Sequence, residues 1–232
     1  MVTAILERYS IKELFHMTHK SNIVSICKCG LLPKNEQELG LGITPVSIAI
    51  ESVQRRRMRK TLDNGTRIDV HDYVPLYFAR DTPMWYVLMH AAPSKGRRAL
   101  QKGDLVFLCI NAELTFRHSG VWFSDGNAAS HRTRYYRNIN DLAKLDWDTI
   151  WSPNEYPNCY QDEWKRKKAS EVLVPGCIPL VYIDRLDVQT EETKTELIGE
   201  LNAMTENESG INVAEIRALA EKVEVVPNII DQ

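Results

Sequence analysis

The sequence predicts an α+β fold, because strand patterns and helix patterns alternate irregularly along its 232 residues. Its hydrophobic fraction of 44% and charged fraction of 26% are typical of a globular protein with one core. No repeat, low-complexity segment or long linker divides the chain. We therefore expect a single domain over residues 1–232, with 184–232 as an acidic, helical C-terminal segment of that domain.

Apolar runs rich in β-branched residues predict the strands. They cover residues 14–17, 73–78, 104–113, the start of 120–130, 171–176, 180–189 and 223–227. The clearest is DLVFLCINAE, which begins at Asp104 and follows Gly103. Pro75 interrupts the run YVPLYF and has no backbone N–H, so we expect that strand near a sheet edge or a bulge.

Helical patterns separate these strands. They cover residues 21–30, 46–60, 80–92 beyond Pro83, 139–150, 191–204 and 212–222. Ser21 is a candidate N-cap of the first helix, and Gly30 is its stop signal. The second helix ends in cations, which the helix dipole favours at that end. Residues 151–164 contain two prolines and no periodicity, so they predict a loop.

The net charge of −2 conceals an uneven distribution. Residues 184–232 carry a net charge of −8, whereas residues 1–183 carry +6. The cations form three groups, VQRRRMRK (53–60), HRTRYYR (131–137) and KRKK (165–168). A basic body with an acidic tail indicates a polyanionic ligand such as nucleic acid, with solvated charged faces as the alternative.

Targeting and metal-binding patterns are missing from the sequence. No apolar run approaches the ~20 residues that a membrane helix needs, and Glu7 and Arg8 follow too short an apolar patch for a signal peptide. The five cysteines are scattered without a paired CxxC spacing. We therefore expect a cytoplasmic protein that does not enter a membrane and binds no metal.

Three segments combine polar and aromatic side chains in a way that suits a ligand site. In FHMTH, strand alternation puts His16 and Thr18 on one side, so a ligand would meet a ring nitrogen and a hydroxyl together. Residues 71–86 are rich in rings that line pockets for planar groups, or simply fill a core. SHRTRYYR (130–137) offers guanidiniums and phenols, which hold single strands of nucleic acid unless the loop is merely solvated.

Glu171 is the most informative single residue. It stands in KRKKASEVLV, between four cations and an apolar strand, where a carboxylate is disfavoured unless it is solvated, paired or used in chemistry. One explanation is an ion pair with a lysine at a surface strand end. The other is a carboxylate that holds a sugar hydroxyl and stabilises positive charge at an anomeric carbon.

These segments, taken in order, resemble the DarT family of DNA ADP-ribosyltransferase toxins. The resemblance rests on FHMTHKSNI…GLL, IESVQRRRMR, HDYVPLYFARDTPMWY, FSDGNAASHRTRYY, LDW and KKASEVLV, within residues 14–183. It implies a diphtheria-toxin-like ADP-ribosyltransferase fold, with central mixed or antiparallel sheets and flanking helices. It also implies NAD+ as co-substrate, no metal, and transfer of ADP-ribose to a base of single-stranded DNA.

The resemblance also implies roles for individual residues. Glu171 would be the catalytic carboxylate, and Arg57 would contact the NAD+ and base region, with Arg55 and Arg56 as alternatives one register step away. The NAD+ site would comprise His16, Thr18, Asn22, Tyr73, Tyr77, Met84 and Tyr86. The DNA-binding residues would be His131, Arg132, Arg134, Tyr135, Lys165 and Arg166.

Several alternatives stay open at this point. Ser170 and the continuation VLVPGCIP (172–179) differ from the thymidine-modifying branch, so the acceptor base is thymidine or guanosine. The same chemistry on RNA is a further possibility, as is a single-strand binding module without catalysis. Glu171 argues against the latter, because a carboxylate would repel phosphates. The resemblance further implies a macrodomain antitoxin as partner, which the acidic segment could contact.

Overall fold

The computed structural model describes residues 2–38, 44–58, 60–61, 67–90, 100–153, 161–207 and 212–227. The strands are β1 (Glu13–His19), β2 (Lys60–Thr61), β3 (Arg67–Ile68), β4 (Tyr73–Tyr77), β5 (Leu105–Asn111), β6 (Trp122–Ser124), β7 (Tyr135–Tyr136), β8 (Glu171–Pro175), β9 (Ile183–Val188) and β10 (Val223–Val225). The helices are α1 (Val2–Arg8), α2 (Ile23–Cys29), α3 (Lys34–Glu38), α4 (Glu51–Arg57), α5 (Pro83–His90), α6 (Ala112–Arg117), α7 (Trp147–Trp151), α8 (Asp162–Lys168), α9 (Glu191–Asn207) and α10 (Val213–Ala220). Short 3₁₀ helices cover Lys20–Asn22, Val70–Asp72, Lys102–Asp104, Ile139–Lys144 and Leu180–Tyr182.

Eight of the strands form one sheet in the order β10-β9-β5-β1-β4-β8-β6-β7. Neighbouring strands run antiparallel, except that β10 lies parallel to β9. The strands β2 and β3 pair separately. The architecture is a mixed sheet with flanking helices, so the predicted α+β class is confirmed.

Both faces of the sheet are covered, which explains the continuous apolar run in β5. Val106, Leu108 and Ile110 lie on one side of β5 and belong to the main core, together with residues of α2, α9 and α10. Phe107 and Cys109 point to the other face, where Trp85 and Leu88 of α5 pack against them. A strand buried on both faces has no polar side to show in the sequence.

The prediction of an edge position or bulge for the Pro75 strand is wrong, because β4 lies between β1 and β8 inside the sheet. Proline is tolerated there because the two strands β1 and β4 pair at one position only, Phe15 with Tyr77. Beyond this pair the strands move apart, so no backbone hydrogen bond from residue 75 to β1 is needed. The Pro75 carbonyl accepts a hydrogen bond from the His16 ring, on the β1 side. The nitrogen of a strand residue points to the same side as its carbonyl, so the missing N–H faces this gap.

Several predicted helices differ in extent from the observed ones. The pattern over 46–60 yields only α4, which begins at Glu51, and the pattern over 139–150 splits into a 3₁₀ helix and α7. The split follows from capping, since the Asp146 side chain accepts the Thr149 N–H and starts a new helix there. The predicted loop over 151–164 is also partly wrong, because α8 begins at Asp162 and includes the KRKK stretch; residues 154–160 lie outside the described residues.

The start of α2 corrects one further detail. Ser21 lies inside a 3₁₀ turn and is not the N-cap, which is Asn22. The predicted stop is confirmed, since Gly30 adopts φ 75°, a conformation that favours glycine.

Among the described residues, no helix is long and apolar enough to cross a membrane.

Candidate active site

A cavity of about 1150 Å³ opens where β1 and β4 diverge. Residues of α2, α4 and α5 complete its wall, together with the segment 44–50 and the 3₁₀ turn before β4. Of the predicted NAD+ residues, the cavity is lined by His16, Thr18, Asn22, Tyr73, Tyr77 and Met84. Strand divergence therefore creates the concave surface on which most of the predicted ligand residues meet.

Glu171, the first residue of β8, has no exposed surface. Its carboxylate accepts hydrogen bonds from Arg57, with Nη1 at 3.1 Å from Oε1 and Nη2 at 2.7 Å from Oε2. The backbone N–H of Ala128 donates to Oε1 at 2.9 Å. Glu171 lies opposite Tyr77 in the β4–β8 pairing. Tyr77 and Arg57 line the cavity, so the carboxylate contacts the cavity wall but is not itself part of the lining.

The surface ion pair with a lysine that the sequence left open for Glu171 is wrong. Lys167 contacts Asp146 at 2.8 Å, and the Lys168 ammonium contacts Asp81 at 2.7 Å. Lys168 is buried, because α8 turns it away from the strand and toward the carbonyl groups at the end of α7. The cation that pairs with Glu171 comes from α4, 114 residues earlier in the chain.

Among the three neighbouring arginines, only Arg57 is buried. It ends α4 and lines the cavity, whereas Arg55 is exposed and pairs with Glu51 of the same helix at 3.8 Å. Arg56 lines the cavity from an exposed position. The geometry thus singles out Arg57 as the guanidinium next to the carboxylate.

The Arg57–Glu171 pair sets the protonation of its surroundings. Burial disfavours the charge on Arg57, but the Glu171 carboxylate outweighs burial and raises the pKa of the guanidinium. Burial is the main cause, and the Glu171 charge the second, that raise the pKa of the Tyr77 and Tyr135 hydroxyls well above the usual range of a phenol. Near neutral pH both phenols are therefore hydrogen-bond donors, and the site holds one cation against one anion.

His16 is held in a defined protonation state. Burial lowers the pKa of its imidazole, and the hydrogen bond to the Pro75 carbonyl opposes this shift only in part. Because a carbonyl only accepts, Nδ1 carries the proton in the 3.0 Å contact with Pro75. The other ring nitrogen, Nε2, is then an acceptor in the neutral ring.

Asn22 joins the cavity wall to β1. Its amide nitrogen donates to the Thr18 hydroxyl and to the Val46 carbonyl, both at 3.0 Å, and its amide oxygen accepts the Val46 N–H at 2.8 Å. Asn22 is buried, so these bonds are shielded from water. The side chain fixes the segment 44–50 along the cavity as well as bordering the ligand space.

Sequence and structure comparisons agree on the family. A profile described as DarT, ssDNA thymidine ADP-ribosyltransferase, matches residues 15–229. The chain belongs to the DarT family.

Individual relatives and solved structures also match this chain over most of its length. A DNA ADP-ribosyl transferase of Thermus sp. (strain 2.9) is 27% identical over 190 residues, covering 80% of this chain and 85% of the relative. One from Mycobacterium tuberculosis is 27% identical, with 79% of each chain covered. The structure of Thermus sp. 2.9 DarT in complex with ADP-ribosylated ssDNA superposes with a TM-score of 0.73 at 23% identity, over 95% of this chain and 96% of that one.

A second kind of relative is longer than this chain. A fusion of DNA ADP-ribosyl transferase and DNA ADP-ribosyl glycohydrolase from Thermosipho africanus is 28% identical, and the match spans 46% of its length. Together, the family match and the relatives confirm the predictions of the DarT family, of its ADP-ribosyltransferase fold and of a DNA ADP-ribosyltransferase. The roles given to individual residues stay predictions.

The remaining residues predicted from the DarT resemblance occupy different environments. Tyr86 is 38% exposed on α5 and lies outside the cavity lining. His131, Arg132 and Arg134 are exposed on the loop between β6 and β7, and Lys165 lines the cavity.

Two of the predicted DNA-binding residues lie within the fold. Tyr135 is buried, and its hydroxyl donates to the Ala128 carbonyl at 3.0 Å. The guanidinium of Arg166 is bound by Asp125 and Glu163. The structure thus gathers most of the NAD+ set around one cavity, and divides the DNA set between surface and interior.

Sequence reasoning missed the contacts that fix the backbone of Glu171 and the helix that carries Arg57. The Ser124 hydroxyl accepts the Glu171 backbone N–H at 3.1 Å, and His71 Nε2 contacts Gln54 of α4 at 2.8 Å. These are backbone or neutral polar contacts, which leave no charge pattern in a sequence. No three His, Cys, Asp or Glu side chains converge into a possible metal site within the described ranges.

Proposed function

We propose that this protein transfers ADP-ribose from NAD+ to a ring nitrogen of thymidine in single-stranded DNA, with Glu171 and Arg57 at the reacting centre. The observation that carries the proposal is the buried, two-point Arg57–Glu171 pair beside a cavity lined by His16, Thr18 and Tyr77. The family description names ADP-ribosyl transfer and a thymidine acceptor in single-stranded DNA.

The transfer requires one bond to break and one to form at the same ribose carbon. The bond from the anomeric carbon to nicotinamide breaks, and its electron pair leaves with nicotinamide. The lone pair of the base nitrogen forms the new bond, and that nitrogen loses its proton. Between these events the ribose carries positive charge, which a nearby carboxylate stabilises most in the transition state.

Glu171 suits this role because its carboxylate is a hydrogen-bond acceptor that is fully buried and therefore shielded from bulk solvent. Its carboxylate would accept the ribose hydroxyl next to the anomeric carbon, face the developing charge and take the proton from the base. No described contact other than Arg57 Nη2 engages Oε2, so that oxygen is released when Arg57 moves.

Arg57 suits a role at the base rather than at the pyrophosphate. A guanidinium that already contacts the catalytic carboxylate lies next to the reacting atoms, where it would stabilise a thymine ring that is losing its N–H proton. The neutral His16 ring, with Nε2 as acceptor, and the Thr18 hydroxyl would hold hydroxyl and amide groups of NAD+.

Single-stranded DNA fits the basic surface around the cavity. Lys165 at the cavity and the exposed Arg132 and Arg134 would contact phosphates. A single strand also presents its base without the cost of extruding it from a duplex. RNA as acceptor and guanosine as base are the outcomes that would revise this assignment.

The fusion relative supports a partner for the protein. Its second part is named a DNA ADP-ribosyl glycohydrolase, which joins transfer and removal of the modification in one chain. A macrodomain antitoxin that removes ADP-ribose from DNA would play this part for a separate chain, and the acidic C-terminal segment would offer it a contact surface. A toxin with such an antitoxin would act in the cytoplasm, where DNA and NAD+ meet.

The test is direct transfer measured by mass spectrometry. The protein is incubated with NAD+ and oligonucleotides that each lack one base, in DNA and RNA versions. We expect one added ADP-ribosyl group on every DNA strand that contains thymidine, and none on thymidine-free DNA or on RNA. Modification of thymidine-free strands would overturn the choice of base, and no modification at all would overturn the enzymatic proposal.

The same assay tests Glu171 and the partner. Glu171→Gln keeps the shape and the acceptor oxygen near Ala128 but removes the charge, so we expect no transfer. Glu206→Gln, on the exposed face of α9, is the matched control and should retain full transfer. A macrodomain DNA ADP-ribosyl glycohydrolase should then remove the added group from the wild-type product.

A further inference from the structure

We infer that Arg166 is a positioning residue for the catalytic carboxylate rather than a DNA contact. It fixes the β6–β7 loop, residues 125–134, so that the Ala128 N–H is aimed at Glu171. This inference rests on the proposed function, because it assigns a role in the same reaction. It replaces the DNA-binding role that the DarT resemblance implies for this residue.

All three nitrogens of the Arg166 guanidinium are occupied within the fold. Nη1 donates to the Asp125 backbone carbonyl at 3.0 Å and to its carboxylate at 2.9 Å. Nε and Nη2 donate to the Glu163 carboxylate at 3.1 and 2.8 Å. The side chain is 9% exposed, so little of the guanidinium faces solvent where a phosphate would approach.

The loop closes tightly over Arg166 at Gly126. A Cβ at this glycine would lie 2.9 Å from Cγ of Arg166 and 2.9 Å from its carbonyl oxygen, closer than real Cβ contacts. That same carbonyl accepts the Asn127 N–H at 2.9 Å. Arg166 therefore holds the loop from both its side chain and its backbone.

The loop and the adjoining Ser124, the last residue of β6, hold Glu171 at two points. The Ser124 hydroxyl oxygen lies 2.8 Å from the Gly126 carbonyl and accepts the Glu171 backbone N–H at 3.1 Å. Two residues beyond Gly126, the Ala128 N–H reaches Oε1 at 2.9 Å, and the buried Tyr135 hydroxyl fixes the Ala128 carbonyl at 3.0 Å.

These contacts make the two carboxylate oxygens of Glu171 unequal. Oε1 accepts from both Ala128 and Arg57, whereas the described contacts of Oε2 come from Arg57 alone. When Arg57 turns to the substrate, the Ala128 N–H keeps Oε1 in place and stops the carboxylate from rotating. Oε2 is then the oxygen that meets the ribose hydroxyl.

The test compares Arg166→Gln with Gly126→Ala. The first removes the charge, and the second keeps the charge but pushes a methyl group against the Arg166 side chain. We expect both to lower kcat for transfer to a thymidine oligonucleotide by about tenfold or more, because small misplacements of reacting groups are that costly. The KM for NAD+ should stay within about twofold of wild type. Because Arg166 itself contacts no phosphate, any change in the oligonucleotide Kd and in its salt dependence should be the same in both variants, since both act on the loop that carries Arg132 and Arg134.

Arg117→Gln is the matched control, because Arg117 is an exposed, ion-paired arginine on α6 and its loss changes the net charge equally. All proteins are assayed well below their melting temperatures, and Arg166→Lys replaces Arg166→Gln if the latter does not fold. Weakened DNA binding with a shallower salt dependence, unchanged kcat and a silent Gly126→Ala would overturn the inference. If the wild type itself modifies no oligonucleotide, the proposed function fails instead.

Discussion

Arg57 and Glu171 meet in a buried two-point ion pair, although 114 residues separate them in the sequence. Arg57 ends a helix and Glu171 begins a strand. Both side chains are almost inaccessible, with exposed fractions of 6% and 0%. A buried pair of this kind is costly to desolvate, and its persistence beside a cavity is consistent with chemical use.

Replacing Arg57 by lysine tests whether the two-point geometry matters. An ammonium keeps the charge but cannot contact both carboxylate oxygens in the same fixed plane. We expect kcat for transfer to fall by about 10² to 10³, the range typical of removing one stabilising donor from a reacting centre. The measurement is steady-state transfer to a thymidine oligonucleotide with saturating NAD+.

Arg55→Lys provides the control for this prediction. Arg55 lies two residues earlier on the same helix with its side chain 71% exposed, so its activity should stay at the wild-type level. Equal losses in both variants would mean that α4 tolerates no substitution, and would contradict a special role for Arg57.

Much of this fold is predictable because local patterns decide it. The runs that form β5, β8 and β9, and the two C-terminal helices, are read correctly from apolar periodicity. The interior position of Pro75 is not predictable from such patterns, because it depends on how β1 diverges from β4. The same holds for the Arg57 contact and the Ala128 N–H, which are tertiary and partly backbone interactions.

The stability of the Arg57–Glu171 pair can be measured with a double-mutant cycle. Glu171→Gln leaves a buried cation without its counter-charge, and Arg57→Met leaves a buried anion. We expect each single change to lower the free energy of unfolding by about 3–5 kcal/mol. The double variant should lose less than the sum, with a coupling of about 1–3 kcal/mol, measured by urea denaturation at neutral pH.

The exposed Arg117–Glu113 pair is the reference cycle, because its side chains are 60% and 39% accessible. Solvent screens such a pair, so its coupling should be far smaller than that of Arg57 and Glu171. Similar couplings in the two cycles would show that the buried pair is loosely held.

The partly buried His16 predicts a pH dependence of the free energy of unfolding. Burial lowers the pKa of His16 below its usual 6.5. Between the lowered value and 6.5 the unfolded chain binds a proton that the folded protein does not. The contribution of neutral His16 to the free energy of unfolding is therefore complete above pH 6.5, and it is lost as the pH falls toward the folded-state pKa.

We expect wild type to lose free energy of unfolding more steeply than His16→Asn between pH 7 and pH 5, by at most about 1.4 kcal/mol per pH unit. Urea denaturation at a series of pH values gives this difference directly. His131→Asn, at an exposed position, should follow the wild-type curve. Parallel curves for wild type and His16→Asn would contradict the lowered pKa.

Asp187 anchors a second buried ion cluster, on the sheet face opposite the main core. Its carboxylate accepts Arg80 Nη2 at 2.6 Å, Arg185 Nε at 2.7 Å and the Cys109 thiol at 3.1 Å. Asp187→Asn would leave two guanidiniums with one fewer counter-charge. We expect a loss of about 3 kcal/mol in the free energy of unfolding, since removing one partner strands the others in a buried site.

The control for Asp187 is Asp184→Asn in the same strand. Asp184 is partly exposed and accepts one hydrogen bond from Asn111 at 3.1 Å, so its substitution should lower the free energy of unfolding by about 1 kcal/mol or less. Equal stability of the two variants would mean that solvent reaches the cluster and that its charges are not buried.

Alkylation of Cys109 is a second measurement on the same cluster. Burial and the Asp187 carboxylate raise the pKa of the Cys109 thiol, so it should resist alkylation at pH 8 in the folded wild type. In Asp187→Asn, alkylation should be faster because the cluster is less tightly held.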